Sequence, residues 1–340
     1  MRSMLVGSTL LLTLLACSTE DHPTQPSDPA ATTQLVAAAR NTWAPVAPKP
    51  YDPEFFGYLF GAAPNRAGQW IVYGFGGTDG AGGSGFSVSA YNVATNSWSG
   101  RLSRVIGFQM NGVSKLGNKL YFSGGWDFGT GTKAALKSLW AYDFVQDRLI
   151  RRADIPIFSA EGVSGVIDGK LYVLPGACSG DLWPTPGYCQ TEPTRRLFAY
   201  DPATNSWSTR APSPHFHRKG AAAVLDGKLY VVGGFRGIAG DIPVSDLDVY
   251  HPATNTWQTL APIPTGGNST GAALAGRFFV VVVTFQGTTS VIRAYAYNPA
   301  TNAWSTRAAP DGFGPIVRVN QNGQARLFTA FGDKSALYTP

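Results

Sequence analysis

Few side chains in this sequence stand at spacings that chemistry requires. His215 and His217 flank Phe216 in SPHFHRKG, and an i, i+2 pair in an extended segment puts both imidazoles on one side. A metal centre wants a third ligand. His251 belongs to a separate turn, so no metal and no cofactor is expected. Cys178 and Cys189 bound the stretch ACSGDLWPTPGYC, with no histidine within twenty residues. A disulfide is therefore expected over a metal site, and in an oxidising compartment it would stabilise the loop by roughly 2 to 3 kcal/mol. The string GFGGTDGAGGSG at 74–85 has GxGxxG-like spacing, but no helical pattern follows it, which excludes a phosphate cradle. The other polar candidates carry no motif of their own, and elements elsewhere in the chain must position them.

Composition narrows the partners. The 340 residues hold 27 basic and 21 acidic side chains, a net charge of +6 without any basic run, so no nucleic-acid partner is expected. With 44% hydrophobic and 12% aromatic residues the chain can bury a large core. MRSMLVGSTLLLTLLAC opens with one Arg and an apolar stretch and closes on Ala16–Cys17, the layout of a secretory signal. Its ending LLAC resembles a bacterial lipobox. That resemblance implies diacylation of Cys17 as the mature N-terminus, and Ser18 after it resembles the sorting signal for the outer membrane. Residues 1–17 are thus read as a lipoprotein signal peptide and 18–38, rich in Pro, Ser and Thr, as a flexible tether. Residues 39–340 form the folded domain.

Internal repeats organise that domain. YDPATNSW at 200–207 recurs as YNVATNSW at 91, YHPATNTW at 250 and YNPATNAW at 297, with a degenerate copy, YDFVQDRL, at 142. Upstream of each copy lies a turn followed by a β-branched and aromatic run, as in LDGKLYVVGG at 225–234 and IDGKLYVLPG at 167–176. Such runs are strands after tight turns. A further short apolar strand precedes each turn, so each period holds four strands: a, b ending near GG, c ending in Tyr, and d carrying Trp. The last period lacks d. NTWAPVAPKP at 41–50 matches NTWQTLAPIP at 255–264, so Trp43 is expected to complete the sheet that Tyr338 ends. A ring closed this way removes exposed edges.

The pattern of GG, then Tyr, then Trp seven residues later resembles the kelch family over roughly residues 41–340. Departures are PG in the third period, VV at 282–283, FG at 331–332, and Leu149 in place of one Trp. The resemblance implies an all-β, six-bladed β-propeller of four-stranded blades, closed by the N-terminal strand around Trp43 pairing with the C-terminal blade. The recurring Tyr and Trp are read as blade-to-blade packing, each contributing roughly 1.5 to 3 kcal/mol when buried.

Function must then lie in what does not repeat. The d-to-a and b-to-c connections open on one face around the central channel. The d-to-a set comprises Gln109 and Asn111, Glu161, then His217, Arg218 and Lys219, then Asn268 and Ser269. The b-to-c set includes Trp126, Asp127, Trp183 and Arg236. An acid, bases, amides and exposed aromatics at one mouth suit a sugar or an anionic, extended partner, because Arg forks onto carboxylates and amides read hydroxyls. The sequence is therefore read as an exported, lipid-anchored, monomeric binding module for a glycan or protein ligand. The alternative follows from resemblance to the exported N-acetylneuraminate epimerases, six-bladed mutarotases. These would need an acid/base pair, for which Glu161 with Arg218 or His217 are the candidates. Galactose oxidases are also kelch-like but imply two Tyr and two His copper ligands, a set this chain does not present on one loop.

Overall fold

The computed structural model describes residues 40–49, 59–76, 87–103, 110–127, 134–176, 195–236, 242–287 and 289–340. Cys17, the 18–38 tether, Gln109, Trp183, Cys178 and Cys189 lie outside them, as does most of 74–85.

Short strands form where β-branched and aromatic residues alternate between Gly- and Asn-bearing turns. They pair into six four-stranded antiparallel sheets, each in the order a, b, c, d. Blade 1 takes Leu59–Pro64, Trp70–Gly76, Ser87–Asn92 and Ser97–Ser103. Blade 2 takes Val113–Leu116, Lys119–Ser123, Leu139–Asp143 and Arg148–Arg152, and blade 3 Val163–Ile167, Lys170–Leu174, Leu197–Asp201 and Ser206–Arg210. Blade 4 is built from Ala221–Leu225, Lys228–Val232, Leu247–His251 and Thr256–Leu260. Blade 5 uses Asn268–Leu274, Arg277–Gln286, Thr289–Asn298 and Ala303–Arg307. Blade 6 joins Ile316–Gln321, Gln324–Phe331 and Lys334–Thr339 to the N-terminal Thr42–Pro45, with Trp43 opposite Tyr338. Each a strand packs against the a strands of both neighbouring blades, and blade 6 meets blade 1, so the sheets close into a β-propeller. Two-residue ribbons, Trp126–Asp127 with Ala134–Ala135 and Phe235–Arg236 with Ile242–Pro243, add to the b-to-c connections of blades 2 and 4.

A repeated lock holds neighbouring blades. The Asn just before each of these d strands, Asn96, Asn205, Asn255, Asn302 and Asn41, stands in the left-handed region that Asn tolerates, with φ between 48° and 56°. Its Oδ1 accepts the Tyr hydroxyl of its own blade at 2.7–2.9 Å. The same oxygen accepts the amide of an Ala just past the preceding blade's d strand at 2.7–3.0 Å. The carbonyl of that Ala accepts the Trp indole N–H at 2.8–3.0 Å. Tyr and Trp rings lie 5.1–5.2 Å apart in these five blades. Burial pushes the Tyr91 and Tyr297 hydroxyls up to about 12, which keeps them donors at neutral pH. In blade 6 the lock joins the chain ends: Asn41 accepts from Tyr338 and from Ala308. Blade 2 keeps the Tyr142 bond, to Asp147, but lacks the indole, since Leu149 replaces it.

Candidate functional site

The inner strands surround a cavity of about 520 Å³ to which all six blades contribute. Part of its lining is apolar, with Phe60, Met110, Val113, Phe313 and Ile316. Its mouth is polar, with Glu161, Lys219, Asn268, Ser269, Thr270 and Lys49.

A run of hydrogen bonds from blade to blade positions this rim. Gly162 donates its amide to Asn111 Oδ1 at 3.0 Å. The Lys219 amide donates to the Glu161 carbonyl at 2.8 Å and the Ser269 amide to the Lys219 carbonyl at 2.9 Å. The Ile316 amide donates to Thr270 Oγ1 at 2.9 Å. Glu161 and Lys219 both adopt positive φ, 58° and 57°, directly before the Gly that opens the way into strand a. That conformation is costly for residues with a Cβ, and the inter-blade bonds hold it.

Glu161 is the chemical centre of the rim. Its side chain is 3% exposed, and three donors surround its carboxylate. Arg218 donates to Oε2 at 2.8 Å, Trp126 Nε1 donates to Oε1 at 3.2 Å, and the Lys219 ammonium lies 3.8 Å from Oε1. The Arg218 guanidinium also sits over the Phe235 ring, 5.6 Å from its centroid.

Behind the rim, a buried latch fixes the loop that carries Arg218 and Lys219. His217 Nδ1 lies 3.0 Å from the Gly233 carbonyl and Nε2 3.0 Å from Asp248. Both ring nitrogens face oxygens, a backbone carbonyl and a carboxylate. Asp248 is fully buried and also takes Thr259 at 2.8 Å, His215 at 3.0 Å and Ser213 at 3.3 Å. Burial alone would raise its carboxyl. The His217 hydrogen bond and charge, with the bonds from Thr259 and His215, outweigh burial and hold it below the usual carboxylate range.

The sequence-derived candidates divide accordingly. Glu161, Lys219, Asn268 and Ser269 line the cavity, and Arg218 pairs with Glu161. Trp126, expected as an exposed aromatic, is 1% exposed and lies behind Glu161. Asn111 is fully buried, bonded to Ser159 and the Gly162 amide, and so organises the rim from within. His217 points away from the cavity into the latch. Arg236 is exposed on its ribbon and is not on the cavity wall, and the backbone of Asp127 pairs with Ala134. Lys49, 7% exposed, and the Phe313–Gly314 segment were missed, although both occupy d-to-a connections, of blades 6 to 1 and 5 to 6. Extending the same loop alignment to both chain ends would have found them.

Among the described residues no three His, Cys, Asp or Glu side chains converge as metal ligands, and no helix is long and apolar enough to cross a membrane.

Comparison with known proteins agrees with the repeat and the ring. The Kelch motif family matches residues 220–264. Over 96 residues, 27% of the chain, the sequence is 30% identical to the human Kelch repeat and BTB domain-containing protein 12. It is 33% identical over 113 residues, 33% of the chain, to the human influenza virus NS1A-binding protein. The matched segments span 15% and 16% of those relatives' own length. Among solved structures, that of YjhT superposes with a TM-score of 0.64 at 15% identity, covering 86% of this chain and 97% of that one. A fungal alcohol oxidase of the AA5 family, in complex with copper, gives 0.55 at 14% identity, covering 88% and 76%. At such identities these two likenesses speak for the fold alone.

Proposed function

We propose that this chain, a kelch-repeat β-propeller of six blades, is an interaction module that takes a carbohydrate, or a protein segment of similar polarity, into the mouth of its central cavity. One observation carries the reading: Lys219, Asn268, Ser269 and Thr270 line one cavity together with the apolar Phe60, Met110 and Phe313. Hydroxyls and amides on a rigid rim read sugar hydroxyls, and an apolar wall accepts a sugar's C–H face. The pocket volume suits a mono- or disaccharide. A glycan-array and peptide screen of the intact chain tests this, with Lys219→Ala and Asn268→Ala as controls. A carbohydrate hit should weaken by about tenfold in Lys219→Ala, the scale of one charge-assisted hydrogen bond. Absence of any glycan or peptide ligand removes the reading.

The second reading is sugar mutarotation, and the Glu161 carboxylate on the cavity wall, bonded to Arg218 at 2.8 Å, favours it. Acid/base work requires a carboxylate and its partner at the same substrate atom. Accelerated interconversion of N-acetylneuraminate anomers, followed by NMR and lost in Glu161→Gln, would establish it; an unaccelerated rate excludes it. Export, with Cys17 as the lipidated N-terminus on the outer membrane, belongs to both readings. Fatty-acid labelling that Cys17→Ser fails to abolish would refute that part.

A further inference from the structure

A second cavity, about 460 Å³, lies between the a-to-b hairpins of blades 3 and 4, on the face opposite the mouth. Its lining includes Lys170, Arg210, Lys228 and His251 beside Asp168 and Asp226. The repeat explains why this cleft differs from its counterparts. The last residue of strand c is Asn92, Asp143, Asp201 and Asn298 in blades 1, 2, 3 and 5, and in each the Oδ1 accepts a backbone amide two residues on. In blades 2 and 3 that carboxylate also pairs with the Lys opening strand b: Lys119 to Asp143 at 3.4 Å and Lys170 to Asp201 at 3.0 Å. Blade 4 keeps the lysine, Lys228, but puts His251 where the carboxylate would stand, one residue beyond the Leu229–Tyr250 pair. Among the described residues Lys228 makes no ion pair. Arg210, at the end of the blade 3 d strand, makes none either, and its buried Nε has no acceptor among them.

We propose that this cleft is an oxyanion site, with Arg210 and Lys228 as its cationic ligands and His251 as a further ring donor. A phosphate- or carboxylate-type group supplies acceptors to the Arg fork and a counter-charge to the Lys at once. Lys170 is already neutralised by Asp201, and the exposed turn acids Asp168 and Asp226 make no ion pair with Arg210 or Lys228 but lower the local positive potential. The site therefore suits a single small oxyanion rather than a polyanion. The charge pattern also fixes a sign: removing Asp226 tightens binding.

Calorimetric titration of the full chain with inorganic phosphate, and separately with acetate, tests the proposal. One equivalent of at least one ion should bind saturably, and the tighter of the two assigns the group. His251→Asp restores the residue type of blades 2 and 3, so it preserves the fold, and it should weaken binding by about tenfold or more. Asp226→Asn should strengthen it severalfold. Failure of both ions to saturate overturns the proposal. So does binding that His251→Asp leaves unchanged but Lys219→Ala abolishes, because that result places the ion in the central cavity.

Discussion

At the scale of single residues, the informative side chain is Asp248, which binds no ligand. It fixes the His217 ring, and through it the loop that brings Arg218 to Glu161. Its folded-state carboxyl is held below the ordinary value. A depressed carboxyl contributes stability that is complete above the ordinary carboxylate range and is lost as the pH falls through the folded value. Urea unfolding at neutral and acid pH should therefore show the wild-type chain losing stability on acidification, with part of that loss absent in Asp248→Asn. At neutral pH the substitution should cost about 1.5–3 kcal/mol, because a neutral amide replaces a buried carboxylate that Ser213, His215, His217 and Thr259 all bond. Identical acid sensitivity in both proteins would sink the idea that this group carries it.

At the scale of elements, the repeat was readable because its residues act within a few positions of one another. Tyr, the ATN turn and Trp form one hairpin, and their spacing survives in sequence. The Trp43 strand was legible for the same reason, since NTWAPVAP copies an internal segment closely. The directions of loop side chains were not. Trp126 and His217 sit in connections read as exposed, yet both turn inward, toward Glu161 and Asp248, groups 35 and 31 residues away. Only the assembled ring brings those partners together. Blade 5 shows a subtler case. In blade 4, Gly233 and Gly234 take φ of 67° and 86° and turn the chain out of strand b after Val232. Val282 and Val283 stand there in blade 5 and cannot adopt that conformation cheaply. Strands b and c consequently run ten residues each and carry Phe285, 68% exposed, to the hairpin tip. The missing glycines were visible in sequence, and their consequence, a longer hairpin, follows from backbone sterics alone.

At the scale of the whole molecule, everything at the mouth depends on closure, because the rim is shared by strands from the first and last blades. The seam differs from the other blade junctions in one physical respect. In blades 1 to 5, strand d follows c through a covalent turn, whereas in blade 6 it comes from the other end of the chain. Trp43 is held there by its bond to Ala308, by a tilted ring contact with Tyr338 at 5.2 Å, and by four residues of pairing. Trp43→Ala should cost about 3 kcal/mol, at the low end for a large-to-small change because the ring is only partly buried. The same substitution at Trp257 should cost a similar amount, but it leaves strand d tethered. The two variants therefore part in local opening rather than in total stability. When the seam loosens, Lys334–Thr339 becomes a free sheet edge, and its amides should exchange with solvent far faster in Trp43→Ala than those of Leu247–His251 do in Trp257→Ala. Hydrogen exchange read by mass spectrometry distinguishes the cases. Equal protection of the two segments in their respective variants would mean that blade 6 does not rely on the N-terminal strand, and the shared rim would need another explanation.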